Sequence, residues 1–420
     1  MRDYWHRVRL FSRDVRLFLI TAALIGFTVF GGIYTVLFNL YLVRLGYGPE
    51  FIGLVNAMNT VALTVFALPA STIGARFGVR RAMIVGFGLI MAGYSLTVLA
   101  EFVPVDSRQA WIVINYLIAG LGMALYFVNA SPFVMAAARP EERNHVFSIQ
   151  AALWPLAGFV GSLVGGLLPA FFANTLQVGL DTPAPFRYPM LMASGLLLIG
   201  IMALYQTKDA TVTDQRRTVR TAYTNATPLT IVLVMGLVGV LRGSGEGAAR
   251  TFFNLYMDTT LGVSALQIGA FLALGQLLSV PAALLTPFFA ARWGNGFSMI
   301  GGTLGVALSL LPFALVPQWA VAGSSFMLML VLVSVARPAY MVYSQEIVGP
   351  GWQGTMSAAT TMAIGISWSV MAFGGGYLIA LVGYRALFLS GALLTALGAL
   401  LFWAYFRTPR GEFAQATGNR

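Results

Sequence analysis

Apolar residues occur along this chain in long blocks, not in the strict alternation of a half-buried strand or the single stripe of a surface helix. Twelve blocks stand out, at 17–44, 50–75, 81–101, 110–138, 145–173, 186–206, 229–259, 264–291, 297–317, 319–346, 354–382 and 384–407. Each is long enough to cross a bilayer as a helix, which takes about 20 apolar residues. The polar connections are short except for 207–227, the one stretch with linker composition. The pattern predicts an all-α polytopic membrane protein of twelve transmembrane helices in two bundles of six. The first bundle covers 1–206 and the second 228–420, joined by the linker 207–227.

Composition agrees with this reading. Hydrophobic residues make up 58% of the 420 and charged residues 9%, whereas a soluble domain carries about 25% charged residues. The net charge of +11 would suit a nucleic-acid partner only if it formed a clustered basic face. The basic residues are instead scattered through the loops, so the expected partner is the lipid bilayer and not a nucleic acid. Of 25 Lys and Arg, eighteen fall in the tails and even-to-odd loops, and four (Arg44, Arg108, Arg187 and Arg385) fall on the other side. The excess of positive charge places both termini and the linker in the cytoplasm of a cell-membrane protein. The first apolar block is far longer than a signal peptide's core of ~7–15 residues, which makes it an uncleaved first span. Cysteine is absent, which excludes disulfides, thiolate metal sites and thiol nucleophiles.

The two bundles repeat one another. Phe38-Asn39-Leu40-Tyr41 recurs as Phe253-Asn254-Leu255-Tyr256, Ile52-Gly53 as Ile268-Gly269, and Ala75-Arg76-Phe77-Gly78 as Ala291-Arg292-Trp293-Gly294. Ser148 with Gly165-Gly166 recurs as Ser357 with Gly374-Gly375. Four matches in order, at slowly drifting offset, indicate duplication. Parallel repeats about an axis along the membrane normal are typical of secondary transporters with a site near the midplane.

With these repeats the chain resembles the major facilitator superfamily over essentially its whole length. The family's loop between helices 2 and 3 typically reads G-x-x-x-D-R-x-G-R-R. Arg76, Gly78, Arg80 and Arg81 fit it, with Arg292 and Gly294 in the second copy, while Ser71 replaces its glycine and Ala75 its acid. The resemblance implies that these residues form a conformational-switch loop. The acid that helps latch the cytoplasmic side in the family is missing from both copies, and Glu141 and Glu142 are the nearest substitutes. The helix-5 signature of drug and proton antiporters, G-x-x-x-G-P-x-x-G-G, is met by Gly161, Gly165 and Gly166, with Ala157 at its first glycine and Ser162 at its proline. The helix-4 arginine of proton antiporters falls on Tyr116. Resemblance to the antiport branch is therefore partial.

The remaining three basic residues, all arginines, lie inside the membrane. Arg242, Glu246, Arg250 and Asn254 follow one another at intervals of four on helix 7, a single stripe drifting ~40° per step. The duplicated positions on helix 1 are Phe27, Gly31, Thr35 and Asn39, so only the asparagines coincide. Glu246 lies ~21 Å from Val232 along the helix, near mid-membrane. Arg337 on helix 10 is ~14 Å from the cytoplasmic end, level with Arg242. In the superfamily helices 1, 4, 7 and 10 line the central cavity, and the deep charges fall on two of these.

An ionisable group at the bilayer centre costs ~2.5–3.5 kcal/mol on the mildest scale, so these groups must pair, face water or bind something. One reading is an ion pair of Glu246 with Arg242 or Arg337 that only fixes helix packing. The other is a substrate or coupling site formed by Arg242, Glu246, Arg250, Arg337, Asn39, Asn254 and Asn129. Three arginines against one glutamate would favour an anionic small molecule, because guanidinium suits carboxylate or phosphate. Asn115, Tyr126 and Ser131 on helix 4, and Asn56 and Asn59 on helix 2, suit either cavity lining or bonds across helices. Gln276, Trp154 and Trp368 read as packing residues. His6 lies in the tail and His145 at a loop end, so no proton-relay histidine is expected, and Asp258 and Glu346 are expected to be solvated at helix ends.

The sequence thus predicts a monomeric secondary active transporter of a small solute, working by alternating access, with protons or another ion as coupling partner and no cofactor or metal. A proton-coupled drug or multidrug efflux antiporter is the first alternative, and a non-transporting receptor or scaffold on the same fold is the second. An enzyme would need paired acids or a His/Asp/Ser constellation at one depth, and Glu246 is the one deep acid. No G-x-x-x-x-G-K-[ST] loop occurs, so ATP is not used by the chain itself.

Overall fold

The computed structural model describes residues 11–139, 142–208, 229–348 and 352–408. The amino-terminal tail with His6, Glu141, the linker from 209 onward and the carboxy-terminal tail from 409 fall outside these residues, as does the side chain of Ser148. Thirteen α-helices lie among the described residues. The first eight are α1 (Arg13–Thr28), α2 (Ile33–Arg44), α3 (Pro49–Val65), α4 (Ala67–Phe77), α5 (Val79–Val98), α6 (Val105–Ala137), α7 (Arg143–Leu176) and α8 (Ala184–Tyr205). They are followed by α9 (Leu229–Thr259), α10 (Ala265–Leu315), α11 (Trp319–Glu346), α12 (Gln353–Val382) and α13 (Tyr384–Phe406).

These helices supply the twelve spans. Arg13–Arg44 crosses as one span although its helix is interrupted, α3 and α4 form one span bent by 48°, and α10 contains two, Ala265–Thr286 and Phe288–Leu315. The interruption in the first span is a departure from the continuous helix expected over 17–44. Gly31 takes a φ of 80°, which costs an L-residue with a side chain roughly 1–2 kcal/mol. Side chains replace the lost helical bonds. Thr35 Oγ1 accepts from the Gly31 amide at 2.9 Å and donates to the Val29 carbonyl at 2.7 Å, and Ser162 donates to the Gly31 carbonyl.

By packing, the chain divides into two compact units. The first comprises Met1–Tyr47, Met58–Asp214 and Ser264–Ala273, and the second Gly48–Ala57, Gln215–Val263 and Leu274–Arg420. Inside the second unit Gly53 lies against Ala372 and Gly376, and inside the first its repeat Gly269 lies against Ser162 and Gly166. The chains approach too closely at both places for a side chain.

The duplication is visible in packing and in backbone. Phe38 stacks on Tyr116 with ring centroids 4.2 Å apart, and its repeat Phe253 stacks on Phe326 at 4.0 Å. The FNLY phenylalanine therefore does the same work in both copies, ring on ring against α6 or α11. This packing also accounts for the missing antiporter arginine, since Tyr116 is a buried ring in that stack. Gly78 and Gly294, the repeated loop glycines, have φ of 95° and 80°. Gly294→Ala should lower stability by about 1 kcal/mol, the usual cost of a side chain in the left-handed region. Gly301→Ala, at a helical position with nothing near its Cβ site, should be neutral or slightly stabilising. Thermal unfolding of both variants in one detergent checks the difference, and equal melting shifts would refute it.

Candidate functional site

The charged cluster lies within the second unit. Its geometry starts from a stripe of small residues on α9. Gly239, Gly243 and Gly247 recur every four residues and pack against Ala363, Ser367 and Trp368 of α12. A β-carbon at any of them would crowd that helix. The adjacent stripe of α9 carries Arg242, Glu246 and Arg250, and α11 supplies Arg337 to meet it. Pro338 follows Arg337 inside α11 and has no amide hydrogen to close the helical bond to residue 334.

Glu246 is the centre of the cluster, with its side chain 4% exposed. Arg337 donates one nitrogen to both carboxylate oxygens, at 2.8 and 2.9 Å, and Arg250 donates Nε to Oε1 at 2.7 Å. Charge-assisted contacts of this length are among the strong hydrogen bonds of proteins. Arg250 and Arg337 remain partly exposed, at 38% and 33%. Their guanidinium carbons lie 5.8 and 5.9 Å from the ring of Trp368, within the range of cation–π attraction.

Arg242 behaves differently. It is buried and lies over the ring of Tyr340 at 4.3 Å, and its Nε has no hydrogen-bond partner. Tyr340 is held in turn by its hydroxyl, which donates to the Met235 carbonyl at 2.7 Å. Two further donors at the cluster, Arg337 Nε and Trp368 Nε1, are also buried without an acceptor. The arrangement can therefore accept more negative charge than Glu246 supplies.

Other expected site residues are placed elsewhere. Asn129 sits in the first unit, donating to the carbonyls of Ala70 (3.1 Å) and Leu125 (2.8 Å) and covering Gly74 at the bent second span. Asn56, Asn59 and Asn115 likewise donate to backbone carbonyls, of Ile52, Tyr116 and Trp111. Asn39 and Asn254 are buried on α2 and α9. In the expected switch loop Arg80 donates to the carbonyls of Leu204 and Tyr205 at the end of α8, where a cation complements the helix dipole. Arg76 and Arg292 lie over the neighbouring rings Phe77 and Trp293, and Arg81 is exposed. Glu346, expected to be solvated, accepts from Asn295 at 3.2 Å.

Sequence reasoning misses Tyr340, and it assigns Trp368 to packing alone. Tyr340 is findable, because it stands three residues from Arg337 and so shares its helix face. Trp368 offers only its depth in the eleventh block as a signal.

The family model described as Major Facilitator Superfamily matches residues 17–372. An uncharacterized MFS-type transporter of Mycobacterium tuberculosis is 26% identical over 328 residues, covering 72% of this chain and 70% of that protein. Multidrug resistance protein MdtH of Salmonella typhimurium is 21% identical over 349 residues, covering 80% and 79%. Among solved structures, a D-xylose-proton symporter gives a TM-score of 0.75 at 15% identity, covering 93% of this chain and 97% of its own. The nucleoside transporter NupG, solved as a point mutant, gives 0.73 at 14%, covering 93% and 100%. The helical architecture, the internal duplication and the family match together show that this chain belongs to the Major Facilitator Superfamily of twelve-span secondary transporters.

Proposed function

We propose that this transporter moves a small anionic solute, held by the arginines of α9 and α11, with Glu246 as their counterion and as the coupling group. The observation that carries this reading is the imbalance at the cluster. One deep carboxylate is engaged by Arg250 and Arg337, while Arg242 is buried with an unpartnered Nε. Arginine's planar fork fits a carboxylate or phosphate, and a charge buried in a membrane protein persists when it serves a pathway or a ligand. The halves 1–206 and 228–420 would alternate access to the site, joined by the cytoplasmic linker 207–227. The protein would act as a monomer in the cell membrane with both termini cytoplasmic, performing no catalytic chemistry.

Proton-coupled drug efflux is the second reading. It draws on the likeness to MdtH and on Phe30, Phe127 and Trp154, whose rings meet at 5.3 to 6.3 Å beside the interrupted first span. Such a surface suits a bulky apolar drug, but the arginine cluster would then be without a role. The test is accumulation of radiolabelled solutes by proteoliposomes under an imposed pH gradient. Uptake of organic anions supports the first reading, uptake of neutral or cationic drugs the second, and no uptake of either a receptor or scaffold. A single cysteine placed at Lys208 in this cysteine-free chain should be labelled by a membrane-impermeant maleimide only from the cytoplasmic side. Labelling from outside intact cells would overturn the orientation.

A further inference from the structure

We propose that the α9–α11 cluster selects a dianion, and specifically a short dicarboxylate with its two heads on two levels of the site. This deepens the anion reading above and rests on it. Three guanidiniums, Arg242, Arg250 and Arg337, face one carboxylate, Glu246, leaving two positive charges. No second acid comes near them from the described helices packed around the cluster. α12 carries no charged residue, α13 only Arg385 at its start, and Glu346 of α11 is at the cytoplasmic end with Asn295. Asp258 lies three turns beyond Glu246 on α9. Uncompensated charge inside the membrane is costly, and a ligand bearing two negative charges brings the cluster to neutrality while Glu246 is ionised, the state that first meets the ligand. A monoanion leaves one charge over.

The donors without acceptors give the two levels. Trp368 Nε1 and Arg337 Nε are at the level of Glu246, since Arg337 grips its carboxylate and the pyrrole edge of Trp368 lies beside Gly247. Arg242 Nε belongs one turn nearer the cytoplasm, ~6 Å along α9 for four residues. That separation matches two carboxylates on a short carbon chain, and a compact dianion such as phosphate reaches only one level. Arg242, held on Tyr340 and apart from Glu246, takes the second head.

The experiment is thermal unfolding of the purified full-length protein with succinate, its monoamide and its diamide at constant ionic strength. These share a skeleton and carry two, one and no negative charges. The same series built on benzene-1,3-dicarboxylate, whose heads are held apart by the ring, guards against a misfit of one skeleton, and inorganic phosphate tests the compact dianion. Binding to the folded state raises the melting temperature. The dianion of at least one skeleton should act at about tenfold lower concentration than its monoamide, with the diamide inert. Arg242→Gln and the more exposed Arg250→Gln each remove one charge, and should bring the monoamide level with the dianion or above it. Either variant suffices if the other does not fold. Equal effects of dianion and monoamide would leave the anion reading standing but overturn the charge match. Phosphate acting more strongly than both dicarboxylates would overturn the two-level geometry. No stabilisation by any of these anions would sink the anion site together with this proposal.

Discussion

Glu246→Gln should reduce pH-gradient-driven accumulation to the level of protein-free vesicles, while exchange of substrate between equal compartments stays within a few fold of the parent. Exchange needs only that the loaded site be reached from each side. Accumulation also needs a group that takes up a proton on one side and releases it on the other. Among the described residues Glu246 is the one acid deep in an apolar span, and it is bonded by two arginines. On the proposed mechanism an arriving anion would compete for those guanidiniums and free the carboxylate to accept a proton, linking substrate binding to proton uptake. Glutamine preserves the shape and can still accept hydrogen bonds, but it cannot carry the proton. Normal accumulation by this variant would rule Glu246 out as the coupling group. Loss of folded protein would favour an ion pair that serves packing alone.

Arg337→Gln should lower stability by about 2–3 kcal/mol, more than the loss of Arg250 does. Breaking a buried pair leaves an uncompensated charge and typically costs ~3–5 kcal/mol. The lower figure applies because Arg337 is a third exposed and Arg250 remains on Oε1. Arg250→Gln should cost about 1 kcal/mol or less, as expected for an i,i+4 pair whose arginine is partly exposed and whose acid keeps a second partner. The decisive variant is the double mutant Arg337→Gln with Glu246→Gln. It removes both charges and should lose clearly less than the sum of the two single variants, a coupling that a pair of independent sites would lack. Melting temperatures of the four proteins in one detergent give the cycle. Equal losses for Arg337→Gln and Arg250→Gln, or simply additive losses in the double mutant, would refute the assignment of Arg337 as the principal partner.

What is legible in the sequence is what a single residue or a long run dictates by itself. Apolar blocks longer than a bilayer's thickness have no other stable form than a membrane helix, so the spans can be read. The repeat is legible because duplicated positions keep residues with narrow requirements, such as Gly78 and Gly294 at positive φ and Phe38 and Phe253 in ring stacks. The deep charges draw attention through their cost. What is not legible depends on which side chains meet across long separations. Arg337 reaches Glu246 over 91 residues, and spacing alone gives Arg242 and Arg250 equal claims, both being four residues from that acid. Only the packing shows Arg250 on the carboxylate and Arg242 turned to Tyr340. The interruption of the first span has no proline to announce it, just Gly31 and Gly32 in an otherwise apolar run.

That interruption gives meaning to an oddity in the fifth block. Ser162 stands where the antiporter signature has proline, and taken alone it reads as a lapse from the pattern. Proline has neither an amide hydrogen nor a hydroxyl to donate, whereas Ser162 offers its hydroxyl to the Gly31 carbonyl at the gap between α1 and α2. Carbonyls exposed in hydrocarbon are expensive, so the gap in one helix and the serine in another form a matched pair. Restoring the signature residue here would remove a donor from the gap. In this chain the deviation from the pattern is a compensation, and neither position can be understood without the other.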